Sequence, residues 1–291
     1  MLKVENLNFK YGNGKGVSDI SFSLKPGRIQ AVLGTNGSGK TTSFRLLLGL
    51  LIADSGVISL DGKPLDINNK CLCGYLPEER SLLRCLKVSE QITYLARLKG
   101  MNDLEIVANL DYWLDWLNIE QYRDAKISEL SKGNQQKVQM ACALMHNPRI
   151  VIFDEPLNGL DIENVDLFKR LLNKLKKAKK YILISSHQYN NIEQYCDQLL
   201  YLEYGQILFK GDVSKLKKRA NTHYLKINCK DDSYAQSNGV KTVVRDGRYL
   251  ILNIDNQEDC YALVSRLCQD GVDDFSLELS SLQDIIRDKS Q

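Results

Sequence analysis

Apolar residues fall along this chain in three different patterns, and each predicts a different kind of element. Two stretches near the start alternate, VENLNF from Val4 and ISFSLKPG from Ile20, as half-buried strands do. They predict an antiparallel β element. Three short runs are predominantly apolar: residues 29–33, IVIF from Ile150, and YILISS from Tyr181. These read as strands, the one at Ile150 as a buried member of a parallel sheet. Between about residues 80 and 145 the apolar positions recur near a spacing of 3.6, in VSEQITYLARLKG and LEIVANLDYWLDWLNI, which predicts a helical subdomain. Trp113 and Trp116 within it read as core and flank. LSKGNQQKVQ, Leu130 to Gln139, reads as the start of another helix with Ser131 as its N-cap. Free N–H groups there attract an anion.

The pattern changes after YGQILFKGD. SKLKKRAN reads as a polar, basic junction, and a second α+β unit begins at His223. HYLKINCK alternates, and VKTVVRDGRYLILNI reads as two strands around Asp246-Gly247, a hairpin signal. EDCYALVSRLCQ predicts an amphipathic helix, FSLELS a strand, and SSLQDIIRDK a final helix. The expected division is residues 1–211 and 212–291. The second part carries no catalytic constellation, which leaves packing, dimerisation or regulation as its role.

Composition narrows the class. With 39 basic and 36 acidic residues among 291, the net charge of +3 gives no footprint for nucleic acid. The start lacks the apolar core of a signal peptide. The densest apolar stretch, LLLGLLIA from Leu46, is far short of the ~18 residues a membrane span needs. A soluble protein is expected, one able to dock on a membrane partner. The eight cysteines are scattered, and the Cys71–Cys73 pair lacks a second pair to make a zinc site. Reduced thiols in a reducing compartment are the expectation. The lysines of LLNKLKKAKKY are expected to form a solvated helix face.

Candidate chemistry sits at the ends of the predicted buried strands. After residues 29–33 comes Gly34-Thr35-Asn36-Gly37-Ser38-Gly39-Lys40-Thr41, the pattern G-x-x-x-x-G-K-[ST], and then an apolar helix-length segment. Glycines let the backbone wrap a phosphate with its N–H groups, Lys40 adds a charge for the β- and γ-phosphates, and Thr41 offers a hydroxyl to Mg²⁺. IVIF ends in Asp154 and Glu155. Adjacent carboxylates at the end of a buried strand are costly unless a cation or a reaction uses them. Asp154 suits a Mg²⁺ shell and Glu155 an attacking water. His187 follows the strand from Tyr181, at a carboxyl end where open α/β sheets place ligands, and is read as a γ-phosphate contact.

In this order the motifs resemble those of the ATP-binding subunit of an ATP-binding cassette (ABC) transporter, over about residues 1 to 211. The resemblance implies an α/β phosphate-loop nucleotide-hydrolase core with an antiparallel β element and a helical subdomain, and a small carboxyl-terminal α+β domain. It implies ATP held by Tyr11, stacked on adenine, and by residues Gly34 to Lys40, Thr41 and Thr42. Leu130, Ser131, Lys132, Gly133, Asn134 and Gln135 match the family signature, and Glu155 the catalytic glutamate. Asn158-Gly159-Leu160-Asp161 resembles the D-loop, and His187 the switch histidine. In this family two subunits close head-to-tail, so Ser131 and Gly133 are expected to read the partner's γ-phosphate. A helix N-terminus carries roughly half a positive charge and favours a triphosphate over a diphosphate.

Three residues depart from the commonest motifs. Lys132 and Asn134 stand where L-S-G-G-Q has glycine and glutamine. Glu78, in GYLPEER, stands where many relatives have glutamine, and its oxygen faces Mg²⁺ in this reading. GYLPEE and LSKGNQQKVQ resemble the branch serving small export systems for drugs, peptides or sodium. The resemblance thus implies a cytoplasmic ATPase subunit that works as a dimer, a homodimer in the simplest case. It would sit on the inner face of the membrane through a separate permease. A cassette ATPase of translation or DNA maintenance is the alternative. Such translation factors usually carry two cassettes, and the chromosome proteins carry long coiled coils. This chain has one cassette and no such coil.

Overall fold

The alternation at the start of the chain folds into strands β1 (Leu2–Lys10) and β2 (Gly16–Leu24). They belong to a computed structural model that describes residues 1–65, 71–79, 81–158, 161–187, 194–220, 223–229, 232–254 and 256–279. Leu2, Val4 and Leu7 are all buried, although Val4 and Leu7 are three apart. A register shift between them, with Asn6 at φ 49, inserts one residue and returns Leu7 to the buried face. With β4 (Ser55–Leu60) and β5 (Lys63–Pro64) these strands form an antiparallel sheet in the order β2-β1-β4-β5.

The apolar runs form a second sheet. It contains β3 (Ile29–Leu33), β6 (Cys73–Leu76), β7 (Ile150–Phe153), β8 (Tyr181–Ser186), β9 (Gln198–Glu203) and β10 (Gln206–Asp212). Their order is β10-β9-β3-β8-β7-β6, parallel from β9 to β6. Every residue of β3, β7 and β8 is buried, as strands covered on both faces require. Because these strands are parallel, the residues after Leu33, Leu76, Phe153 and Ser186 emerge on one edge. Helix α1 (Lys40–Leu47) puts Phe44 and Leu47 into the core cluster that joins Leu2, Leu7 and Ile20 to Ile152 and Leu183.

The segment read as helical contains α2 (Val88–Leu98), α3 (Asp103–Trp116) and α4 (Lys132–Leu144), with α2 packed on both others. Asn102 caps α3 in a reciprocal box with Glu105. Trp113 is buried and Trp116 flanks it, with ring centroids 5.9 Å apart. Helix α5 (Ile162–Lys177) carries the lysine run. Two of these lysines are more engaged than a solvated face requires. Lys174 lies over the Tyr112 ring at 5.0 Å, and Lys176 Nζ is 3.0 Å from Asp197.

Just past α4, His146 Nε2 lies 3.1 Å from the Cys73 carbonyl and donates to it, which leaves Nδ1 unprotonated. Burial pulls its pKa down from 6.5 to about 4, against the opposing pull of that carbonyl. Between those values the unfolded chain binds a proton that the folded chain refuses. Stability is therefore full above pH 6.5 and falls as pH drops towards 4, by at most about 3 kcal/mol. Urea midpoints should drop between pH 7 and pH 4.5, and His146→Gln should flatten that drop.

Two compact units divide the chain, Met1–Gly211 and Asp212–Gln291. The basic stretch read as a junction is helix α6 (Val213–Ala220). Asp212 Oδ1 accepts the N–H groups of Ser214 and Lys215 at 3.1 and 3.3 Å, a cap that makes the polar segment helical. Strands β11 (His223–Asn228), β12 (Val240–Asp246), β13 (Tyr249–Ile254) and β14 (Phe275–Leu279) form an antiparallel sheet in the order β12-β13-β11-β14. The hairpin turn sits one residue later than Asp246-Gly247 suggests. Asp246 pairs with Tyr249, so Gly247-Arg248 is the loop, with Gly247 at φ 60 in the first central position of a II′-type turn. Helix α7 (Gln257–Gln269) buries Cys260, Leu263 and Leu267 against Leu225, Leu250 and Leu252. The final helix read from SSLQDIIRDK lies outside the described residues.

Candidate functional site

The glycine loop joins β3 to α1 and wraps back over the helix start. Gly34, Gly37 and Gly39 have φ of 151, 81 and 103, and a Cβ on Gly34 would lie 2.3 Å from the Leu202 carbonyl. Only glycine fits there. The hairpin between β9 and β10 braces the loop, with Gly205 N–H donating to the Ser38 carbonyl at 3.0 Å. Lys40 lies beneath, 6% exposed, and Nζ donates to the carbonyls of Gly34 and Thr35 at 2.9 and 3.2 Å. Burial lowers its pKa, opposed by the charges of Glu155, Asp154 and Glu78.

Asp154 follows β7 and is almost fully buried, so its oxygens must be paired. Oδ2 accepts from Thr41 Oγ1 at 3.1 Å and from the Tyr75 hydroxyl at 3.2 Å, and Oδ1 accepts from Ser185 Oγ at 2.5 Å. Glu155, also buried, has φ 49, the left-handed region that non-glycine residues rarely adopt. Its side chain points between Lys40 and His187. Lys40 Nζ is 3.9 Å from Oε1, and His187 Nδ1 is 3.0 Å from Oε2. His187 is 39% exposed, placed to reach a ligand on its open side.

A cavity of about 550 Å³ runs from this floor past Asn36, Gly37, Gly39, Thr41 and Thr42 to Tyr11. Its volume suits a ligand of nucleotide size. Tyr11 sits in a tight turn, N–H to the Lys15 carbonyl at 2.7 Å, with its ring against Phe9 at 4.8 Å. Glu78 stands exposed at the rim. Its carboxyl pKa is raised by desolvation and by the charges of Glu155 and Asp154, while Lys40 and His187 oppose the shift.

None of the signature residues lines that cavity. Ser131 is exposed and caps α4, its Oγ accepting the Asn134 N–H at 3.2 Å, and Lys132 is exposed beside it. Gln135 Nε2 staples the preceding turn by donating to the carbonyls of Ile127 and Leu130, and Leu130 is buried. A Cβ on Gly133 would lie 2.6 Å from Asn164 Nδ2. Asn164 is itself held by Asp161, the N-cap of α5. Gly159 and Leu160 lie outside the described residues.

Four contributors were not foreseen: Ser185, Tyr75, Gln136 and Gln139. The two glutamines are buried on α4. Gln136 donates to the Pro156 carbonyl, next to Glu155, and Gln139 to the Glu79 carbonyl, next to Glu78. Buried amides on an otherwise apolar helix face were the available signal. Cys73, of the pair set aside as a zinc site, is a buried thiol whose pKa burial pushes up to about 11.

A glycine loop with a lysine folded under it, set beside two acids that follow another parallel strand of the same sheet, makes this a phosphate-loop nucleotide hydrolase. The helical insert, whose last helix starts at the capping Ser131, marks the cassette type. Known proteins agree. The ABC transporter family model matches residues 17–158. An uncharacterised ABC transporter ATP-binding protein of Bacillus subtilis (strain 168), YhaQ, is 37% identical over 292 residues, covering 99% of this chain and 98% of its own length. The Nod factor export ATP-binding protein I of Burkholderia orbicola (strain AU 1054) is 34% identical over 209 residues, 71% of this chain and 69% of its own. A solved ATP-binding subunit of an ABC transporter superposes with a TM-score of 0.69 at 29% identity, over 75% of this chain and 92% of that one. The chain belongs to the ATP-binding proteins of ABC transporters and is an ATPase of that family.

Proposed function

We propose that two copies of this chain close around two ATP molecules and drive a separate membrane permease, as an exporter. The observation that carries the dimer is the exposed start of α4. Ser131 and Lys132 present a positive helix end that has no place in the chain's own cavity, so its anion comes from another subunit. Export rests on the motifs and on the Nod factor relative, whose name states export. No helix among the described residues is long and apolar enough to cross a membrane, which leaves that task to a partner chain.

Within each site Lys40 and the glycine-loop N–H groups hold the phosphates, and Tyr11 takes the base. Thr41 and Asp154 would hold Mg²⁺, with Glu78 at the rim. Glu155 Oε1, buried and without a hydrogen-bond donor among the described residues, fits a site that takes in a cation and its water. Bound there, the ion would neutralise charge on the phosphates. Glu155 takes the proton of the attacking water, and His187 holds the glutamate and reaches the terminal phosphate. A second cavity of about 590 Å³ opens beside Tyr75 and Asp154, where Leu48, Leu50, Pro77 and Leu95 sit among the charged Arg45, Glu79 and Lys99. Leu50 is 57% exposed there, and this mixed apolar and charged groove supports docking of a permease segment next to the metal side of the site. Purifying the tagged chain from detergent-solubilised membranes should bring down a multi-span hydrophobic protein in stoichiometric amount. Recovery with ribosomes or DNA instead would contradict the reading.

A further inference from the structure

We propose that Ser185 is a positioning residue for hydrolysis, setting both acids of the site with one hydroxyl. The inference rests on Asp154 serving the metal and Glu155 the water. Strand β8 is buried throughout and apolar until it reaches Ser185, which is wholly inaccessible. A buried hydroxyl costs stability unless its bonds are made, and this one uses both its donor and its acceptor. It donates to Asp154 Oδ1 at 2.5 Å and accepts the Glu155 N–H at 2.8 Å. The first bond turns the carboxylate so that Oδ2 meets Thr41. The second ties down the backbone of Glu155 in its left-handed turn, from which the side chain reaches between Lys40 and His187. His187 lies two residues on, just past the end of β8, so the same strand end delivers the clamp and the histidine.

Removing the hydroxyl leaves Asp154 Oδ1 and the Glu155 N–H without this partner, while the bonds of Lys40 to the glycine loop are untouched. The loss should therefore fall on metal use and turnover and spare Mg²⁺-free nucleotide binding. In the full-length protein, Ser185→Ala should lower kcat by about 10–100-fold, the range for partners that orient metal-site groups. The Mg²⁺ concentration for half-maximal activity should rise several-fold, and the gain in ATP affinity on adding Mg²⁺ should shrink. ATP affinity in EDTA should stay within about twofold of wild type, a range worth only tenths of a kcal/mol. Ser185→Thr, which keeps the hydroxyl, should recover most of the loss. If Ser185→Ala does not bind ATP in EDTA, Ser185→Cys, close in volume but a weak hydrogen bonder, is read by the same quantities. Wild-type kcat and Mg²⁺ response in the first folded variant of the two would overturn the proposal. So would a fall in kcat with an unchanged Mg²⁺ response, because the hydroxyl would then not set Asp154 for the metal and would not serve both acids. Glu155→Gln measured in parallel separates the two levels: its normal turnover would remove the premise, whereas an inactive Glu155→Gln beside a normal Ser185→Ala removes only the role of Ser185.

Discussion

Glu155→Gln should bind ATP and almost cease to turn over. The glutamate sits where a general base must be, at the cavity floor, with Lys40 Nζ at 3.9 Å and His187 Nδ1 at 3.0 Å. Gln keeps the shape and loses the proton acceptor. General-base assistance is worth ~10²–10⁴ in rate, roughly 3–5 kcal/mol of barrier. The loss should appear in kcat, because the bonds of Lys40 to Gly34 and Thr35 do not involve Glu155. Steady-state phosphate release measures the one effect and equilibrium nucleotide binding the other. Turnover at the wild-type rate would take Glu155 out of the chemistry.

Lys40→Ala should fail at the earlier step. Among the cations lining the cavity, Lys40 is the one set 3.9 Å from Glu155, and it is 6% exposed. Without it a triphosphate would face Asp154, Glu155 and Glu78 with no buried ammonium beneath the glycine loop to offset the repulsion. A charged hydrogen bond of this kind is worth about 1.5–3 kcal/mol, so ATP affinity should fall roughly 10–200-fold. Calorimetric titration reads this directly. Unchanged affinity would place the phosphates elsewhere.

The contrast between these two residues and Ser185 explains what could be read from the sequence. The glycine loop is a local object: backbone freedom, charge and hydroxyl lie within Gly34 to Thr41, and flanking apolar runs announce strand and helix. The acid pair was legible because two carboxylates ending a buried strand demand a reason. Ser185 lies 31 residues from Asp154, and Tyr75 lies 79 away. Only the parallel order β8-β7-β6 brings all three together, and no spacing along the chain encodes that order. Smaller differences have local causes. SKLKKRAN reads as loop by composition, yet the Asp212 cap, with Val213 and Leu216 buried three apart, makes it helical. The hairpin turn was found by its glycine but lies one residue late, because strand pairing sets which two residues remain unpaired.

In the proposed dimer ATP joins two copies, gripped by the glycine loop of one and capped by Ser131 of the other. Size-exclusion chromatography with light scattering on Glu155→Gln tests it, with Mg²⁺-ATP and with Mg²⁺-ADP. Twice the monomer mass should appear with ATP and the monomer mass with ADP, and adding Ser131→Arg to fill the helix start should abolish the ATP-dependent dimer. An ATP-saturated Glu155→Gln protein that keeps the monomer mass at every concentration, or a dimer indifferent to Ser131→Arg, would contradict it.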